Sequence, residues 1–357
     1  MKHQLFFRLT WGVIVIAAVV GLVIYSLSSD DGLTRPRQPF LFSPYLDLNL
    51  AVEGRLPLAN TFFSATAKSI IPTPDIVSLK GLQSLTLAFA TGQCGKEHWG
   101  GLNAQSLATA NVMALQQANL GYIISTGGSD GVFTCDSPEG MDAFIQRYQS
   151  THLLGFDFNI EANQSELMIQ NLVHQVGRAM RRNPDLRFSF TLAAVASNSN
   201  SNNSLNATGQ WVMKAIANEE LKHYFINLMV MNYGQAEPGN CVVRANQCDM
   251  AASAIRAVNN LSLKYHIPLY RIEVTPMIGI NDVVTNVFTL EDAQKLTTFA
   301  QTYGLGGLHF WSINRDVPCT DARTRTSALC HGLSAERKLA FTEIFSQLTE
   351  LNKLPNK

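Results

Sequence analysis

Eight short apolar runs with β-forming composition recur along this chain, separated by longer stretches with helical spacing. The runs are Tyr45–Leu50, Leu85–Phe89, Tyr122–Ser125, Leu154–Asn159, Arg187–Leu192, Phe225–Met231, Arg271–Thr275 and Gly307–Ser312. Helical stretches such as Leu167–Arg181 and Leu290–Tyr303 lie between them. Strand and helix alternating in this way is the pattern of β/α units around a parallel sheet. Eight strands, each followed by a helix, is the count of a closed (β/α)8 TIM barrel. A doubly wound open sheet shares the same local pattern, so periodicity alone leaves closure undecided. At 357 residues and 46% apolar composition, the chain can bury one large core.

The N-terminus belongs to another part of the plan. From Leu9 to Leu27 no residue is charged, which is length enough for a bilayer-spanning helix. Lys2 and Arg8 precede the run while Asp30 and Asp31 follow it, an arrangement that keeps the N-terminus cytoplasmic. A cleaved signal peptide would carry a shorter apolar region and an A-x-A-like site, whereas this run leads into Tyr25-Ser26-Leu27-Ser28. The expected organisation is a short cytoplasmic end (1–8), an anchor or signal segment (9–28), a linker (29–43) and one domain (44–352). The domain would then lie in the periplasm or outside the cell, held to the membrane by its N-terminal helix or secreted.

All six cysteines fall beyond that segment, and an even number outside the cytoplasm suggests disulfides. Cys241–Cys248 and Cys319–Cys330 would close short loops, which leaves Cys94 with Cys135. No C-x2-C knuckle argues for zinc instead. Acidic and basic residues balance at 27 each, so there is no basic face for a nucleic acid. No phosphate-cradling glycine loop and no histidine ligand spacing is present, so neither cofactor nor metal is expected. The chain is expected to act as a monomer on an uncharged or weakly charged ligand.

The chemistry concentrates at strand ends. Along the fourth run, alternation puts Asp157, Asn159 and Glu161 on one face and Phe156, Phe158 and Ile160 on the other. In a barrel the polar set points inward with Glu161 at the mouth, and such side chains must bond one another or a ligand. In an open sheet the same pattern is only a solvated face. After the fifth run, the low-complexity stretch Ser197–Asn206 reads as a flexible solvated loop that could rim a cleft. It contains Asn202-Asn203-Ser204 and begins Asn206-Ala207-Thr208, both matching the N-glycosylation pattern.

Read from Leu154 to Glu161, the fourth run resembles the D-G-x-D-x-D-x-E signature of glycoside hydrolase family 18, with Leu154 and Asn159 at the first and third Asp positions. Ser125-Thr126-Gly127-Gly128 resembles the family's S-x-G-G turn, and Met229-Val230-Met231-Asn232-Tyr233-Gly234 its M-x-M-D-Y-G with Asn for Asp. Thr275–Gly279, continuing to Asn281-Asp282, resembles the seventh-strand motif. Phe310–Asp316 resembles the F-W-S-x-N-R-D of bacterial chitinases, within the chitinase D-like group. The resemblance spans about Pro44 to Ile344 and implies a TIM barrel that handles N-acetylglucosamine oligosaccharides or polysaccharides.

The resemblance also implies roles. Family 18 enzymes use the substrate's own N-acetyl group as nucleophile. Glu161 would be the general acid, which must keep its proton near neutral pH, with Asp157 below it. Asn159 would accept the acetamide N–H and the Tyr233 hydroxyl would donate to its carbonyl. Trp311 would floor the sugar, with Met229, Met231, Asn232, Gly127 and Gly128 lining the substrate site. Asn159 brings no charge to the oxazolinium ion, a loss of several kcal/mol or roughly two to four decades in rate. The N-x-E order, however, also resembles family 85 endo-β-N-acetylglucosaminidases, which run the same chemistry with Asn. Asn232 is a second lost carboxylate. A hydrolase of β-1,4-linked N-acetylglucosamine is the expectation, against a lectin-like oligosaccharide binder on the same barrel.

Overall fold

A computed structural model describes residues 38–351, except 53–62, 67–68, 73–80, Asp130, Ala162, 199–201, 321–324 and Ala335. The expected membrane segment at 9–28 lies outside the described residues. Among the described residues, no helix is long and apolar enough to cross a membrane.

Nine strands form one parallel sheet: β1 (Leu41–Phe42), β2 (Tyr45–Asp47), β3 (Ser84–Ala90), β4 (Gly121–Gly127), β5 (Leu153–Ile160), β6 (Arg187–Ala193), β7 (Phe225–Met229), β8 (Ile272–Thr275) and β9 (Gly307–Leu308). Their order is β1-β9-β8-β7-β6-β5-β4-β3-β2, so the sheet curls until its two outermost strands are consecutive pieces of chain. Leu41 pairs with Gly307 and Tyr45 with Thr86. The Tyr45 N–H also donates to the Phe310 carbonyl at 3.0 Å. Each of the eight expected runs contains a strand of this sheet. Leu41–Phe42, expected in the linker, adds the ninth, because Pro44 splits the first run's pairing between two neighbours.

Helices follow the strands: α1 (Ala104–Gln117), α2 (Pro138–Arg147), α3 (Glu166–Arg182), α4 (Ala207–Asn218), α5 (Met250–Tyr265), α6 (Leu290–Tyr303) and α7 (Ala340–Leu351). Their starts are set by side chains that take orphan backbone donors. Ser165 caps α3 by accepting from Met168 N–H, and Thr289 and Asp292 form a reciprocal capping box on α6. Asn206 caps α4, so the carboxamide of the second glycosylation pattern is already engaged with Gly209 N–H at 2.8 Å. The outward residues of β5 and β6 (Phe156, Phe158, Phe188 and Phe190) pack in a ring-on-ring layer against Phe133 and Phe144 beneath the helices.

The three disulfides are Cys94–Cys135, Cys241–Cys248 and Cys319–Cys330, as the spacing predicts. The Ser197–Asn206 loop is pinned at both ends rather than solvated throughout. Val195 N–H donates to Ser204 O, Asn198 N–H to Pro238 O, and Asn260 Nδ2 to the carbonyls of Ser197 and Asn203.

Low in the curl of the sheet, Arg187 and Glu273 make a buried ion pair, with Arg187 Nε at 2.6 Å from Glu273 Oε1. The Arg187 guanidinium also lies 3.4 Å over the Phe225 ring and donates to Gly306 O. His309 turns Nε2 toward Glu273 at 3.4 Å and donates from Nδ1 to Ser43 O. Burial alone would push the Glu273 carboxyl up, but the Arg187 charge and the bonds from His309 and Arg187 bring it down to about 2. A native value below the unfolded one means that unfolding takes up a proton between pH ~4.5 and ~2. The pair's stabilisation is therefore complete above that window and lost as pH falls through it. Glu273→Gln, which strands a buried guanidinium, is expected to cost about 3–5 kcal/mol in urea unfolding at pH 7 and to flatten the pH dependence of the midpoint below pH ~4.5.

Candidate functional site

Strand register brings the polar residues of β5 into contact with their neighbours. Asp157 lies level with Ser125 on β4 and Ser189 on β6, and Asn159 with Thr191. The inward face is buried, with Asp157 2% and Asn159 4% exposed, which removes the solvated-face alternative. Asp157 Oδ2 accepts from Tyr45 Oη (2.9 Å) and Ser125 Oγ (2.6 Å), while Oδ1 accepts from Ser189 Oγ (2.8 Å) and Thr191 Oγ1 (2.6 Å). The Tyr45 and Thr191 hydroxyls also accept from Asn227 Nδ2, and Asn227 Oδ1 accepts from Thr275. Burial raises the Asp157 pKa, and the four hydroxyl donors work against it.

Above this layer, Asn159 Nδ2 donates to Glu161 Oε1 at 3.0 Å. Glu161 stands just past the end of β5 and is partly exposed at the mouth. Asn159 Oδ1 is buried and has no hydrogen-bond partner among the described residues. The Tyr233 hydroxyl is in the same condition, on the segment that leaves β7. Burial raises its pKa, so it stays a neutral donor.

Trp311, beyond the end of β9, is half-buried and stacks on Phe89, with ring centroids 5.3 Å apart and planes at 12°. Tyr45 flanks both rings. The Ala88–Phe89 and Trp311–Ser312 peptides are cis. Met229 and Met231 remain partly exposed while Leu228 and Val230 between and before them are buried, so the two methionines share the inner face. Gly127 and Gly128 are buried with φ of 83° and 85°. A Cβ on Gly127 would lie 2.1 Å from Asn159 O, and one on Gly128 2.7 Å from the Phe89 ring. These glycines let β4 close on the Asn159 backbone and the aromatic floor.

Asn232 faces elsewhere than the resemblance implies. Its Nδ2 donates to Asp282 Oδ2 (3.0 Å), its Oδ1 accepts from Val283 N–H (3.0 Å), and its own N–H reaches Asn281 Oδ1 (3.2 Å). The Asn314-Arg315-Asp316 part of the eighth motif is likewise structural. Asn314 Oδ1 accepts from Asp47 N–H at the end of β2. Buried Arg315 donates to Ile278 O (2.9 Å), Ile280 O (2.6 Å) and Ser327 O. Asp316 caps α7 through Phe341 and Thr342 N–H, and burial pushes its carboxyl up to about 6.

Sequence reasoning missed Tyr45, Thr191 and Asn227, the polar groups that hold Asp157, and Phe89 under Trp311. Each is a single polar or aromatic residue on a different strand, and only the inward register could have singled it out.

No family model matches the chain. It is 28% identical to the "probable bifunctional chitinase/lysozyme" of Escherichia coli, over 78% of this chain and 33% of that protein. It is 27% identical to endochitinase 11 of Metarhizium anisopliae, over 71% of this chain and 52% of that one. The chain thus spans about half or less of the curated relatives it matches. Among solved structures it is similar to active domain 2 of the chitinase from Pyrococcus furiosus (26% identity, TM-score 0.67), covering 90% of this chain and 98% of that one. The same domain has been solved with chito-oligosaccharides.

Because the Tyr45 hydroxyl gives one of four bonds to a buried carboxylate, Tyr45→Phe is expected to cost about 2 kcal/mol, read as a lower urea midpoint with an unchanged slope.

Proposed function

We propose that this chain, which belongs with the chitinase-type glycoside hydrolases of family 18, cleaves β-1,4-linked N-acetylglucosamine polymers by a substrate-assisted, retaining mechanism. The observation that carries the reading is the pair of unpartnered buried atoms, Asn159 Oδ1 and Tyr233 Oη. One is an acceptor and the other a donor, which is the complement of a secondary amide's N–H and C=O. A buried polar atom left unpaired costs about 1–3 kcal/mol, and an acetamide would satisfy both. We read the curled sheet as a closed (β/α)8 barrel, with Glu161 at its C-terminal mouth, where barrels keep their chemistry.

In this mechanism Glu161 gives its proton to the glycosidic oxygen as the C1–O bond breaks. The acetamide carbonyl oxygen, aligned by Tyr233 and Asn159, attacks C1 from the opposite face and forms the oxazolinium ion. Water, deprotonated by Glu161, then opens the ring at C1 with net retention. Trp311 on Phe89 supplies the apolar floor, and Met229 and Met231 line the inner wall. Asp157 holds the lower end of the strand register that aims Asn159. Three disulfides and the apolar 9–28 segment support a domain working outside the cytoplasm.

The test is turnover of fluorogenic chitobioside and chitotrioside by the full-length protein. Glu161→Gln is expected to lower kcat by at least about 10²–10⁴-fold without loss of oligosaccharide binding. Saturable binding by both proteins with no turnover by either would make the chain a chito-oligosaccharide lectin instead.

Asn159→Asp returns a negative charge beside the developing cation and is expected to raise kcat about tenfold or more. It also removes the N–H held on Glu161 Oε1, which favours the carboxylate, and puts a proton-sharing group in its place. The basic limb of the pH–kcat profile should therefore move to higher pH, and a limb that stays put while kcat falls would argue that Asn is the working residue.

A further inference from the structure

The loop leaving β8 starts beside the aromatic floor and ends beside the acetamide clamp. At its start, Trp311 N–H donates to Pro276 O and Ile278 N–H to Trp311 O. Gly279–Ile280 and Val287–Phe288 then pair as an antiparallel hairpin. At its far end, Asn286 Nδ2 donates to Gly234 O, next to Tyr233. The hairpin is held rigidly from below. Arg315 clamps the carbonyls of Ile278 and Ile280, and Asn281 Nδ2 bonds the carbonyls of Met277 and Gly279.

The tip of this hairpin presents two side chains outward. Asp282 is exposed although its neighbour Asn281 is fully buried, and Val284, two residues on, is 48% exposed. Asn232 does not compete for a ligand here, since both ends of its carboxamide are spent on Asp282 and Val283. The bond from Asn232 fixes one carboxylate oxygen of Asp282 and so orients the group.

We propose that Asp282 and Val284 form a sugar-binding subsite on the rim of the cleft, with the Asp282 carboxylate accepting from sugar hydroxyls and the Val284 side chain packing on the ring's C–H face. The carboxylate missing at position 232 is in this way supplied from the next strand's loop. Carboxylates suit this task because charge-assisted bonds to hydroxyls are about twice as strong as neutral ones. A side chain fixed before binding loses little entropy when the sugar arrives. This subsite rests on the chito-oligosaccharide reading above.

The experiment measures chitotetraose binding calorimetrically to full-length Glu161→Gln protein, which does not turn the ligand over, with and without Asp282→Asn. The isosteric amide can still accept from Asn232, so the hairpin should keep its shape, and an unchanged unfolding midpoint would show that it does. The expected result is a roughly tenfold weaker Kd with Asp282→Asn, and a further weakening when Val284→Ser is added. In the catalytically intact chain, Asp282→Asn should raise KM for chitotrioside while leaving kcat within about twofold, a split that a merely structural role would not produce. Equal Kd values for the two proteins would overturn the subsite and leave the hydrolase reading standing. Failure of the Glu161→Gln protein itself to bind chitotetraose would overturn both.

Discussion

A carboxylate is placed where water cannot reach it, and the inside of this sheet is organised around that fact. Asp157 is held by four hydroxyls from β2, β4 and β6, so three strands must keep register to within a fraction of an ångström for its two oxygens to be satisfied. Hydroxyls suit this position because each can donate to the carboxylate and still accept from elsewhere, as Tyr45 and Thr191 do from Asn227. The network therefore extends from β5 to Thr275 on β8 without a formal counter-charge. That is a different solution from the Arg187–Glu273 pair, where desolvation is met by an opposite charge. The polar interior thus has an ion-paired level and a hydroxyl level, and the residues that carry the chemistry stand above both.

The consequence for the site is directional. Phe156 and Phe158 fasten β5 outward to the aromatic layer while Asp157 fastens it inward, so Asn159 has little freedom to turn. Its carboxamide has two unlike ends, and the Glu161 carboxylate selects the donor end. The acceptor end is left in a buried place with nothing to accept from. An Asp here would present two like ends and would have to share a proton with Glu161 to approach it. Asn at this position gives up charge but defines which atom meets the ligand.

Strand alternation made the inward set Asp157, Asn159 and Glu161 legible in the sequence, because polar residues every second position between phenylalanines have few other meanings. Cysteine spacing was legible for the same reason, since short loops limit the partners. Tyr45, Thr191 and Asn227 were not, because each contributes one polar atom from its own strand and only the curl of the sheet brings them to a common point. Motif position was informative for the region and misleading for the atom. Asn232 sits in a substrate-binding motif yet spends its amide on the neighbouring hairpin, and Arg315 in the eighth motif never reaches the cleft. Local sequence shows what a side chain can do, whereas its use depends on what the next strand's loop offers it.

Those interlocked loops also bear on how the cleft can vary. Asn314 joins the end of the last strand to the end of β2, Arg315 joins it to the β8 hairpin, and Asp316 starts α7. Three consecutive side chains therefore tie three elements to the base of Trp311. With the floor and the hairpin held to one support, residues at the hairpin tip can change without moving the groups that grip the reacting sugar. Specificity for the glycan is then free to reside in the exposed tip, while Asn159, Tyr233 and Glu161 answer only to the buried interior that aims them.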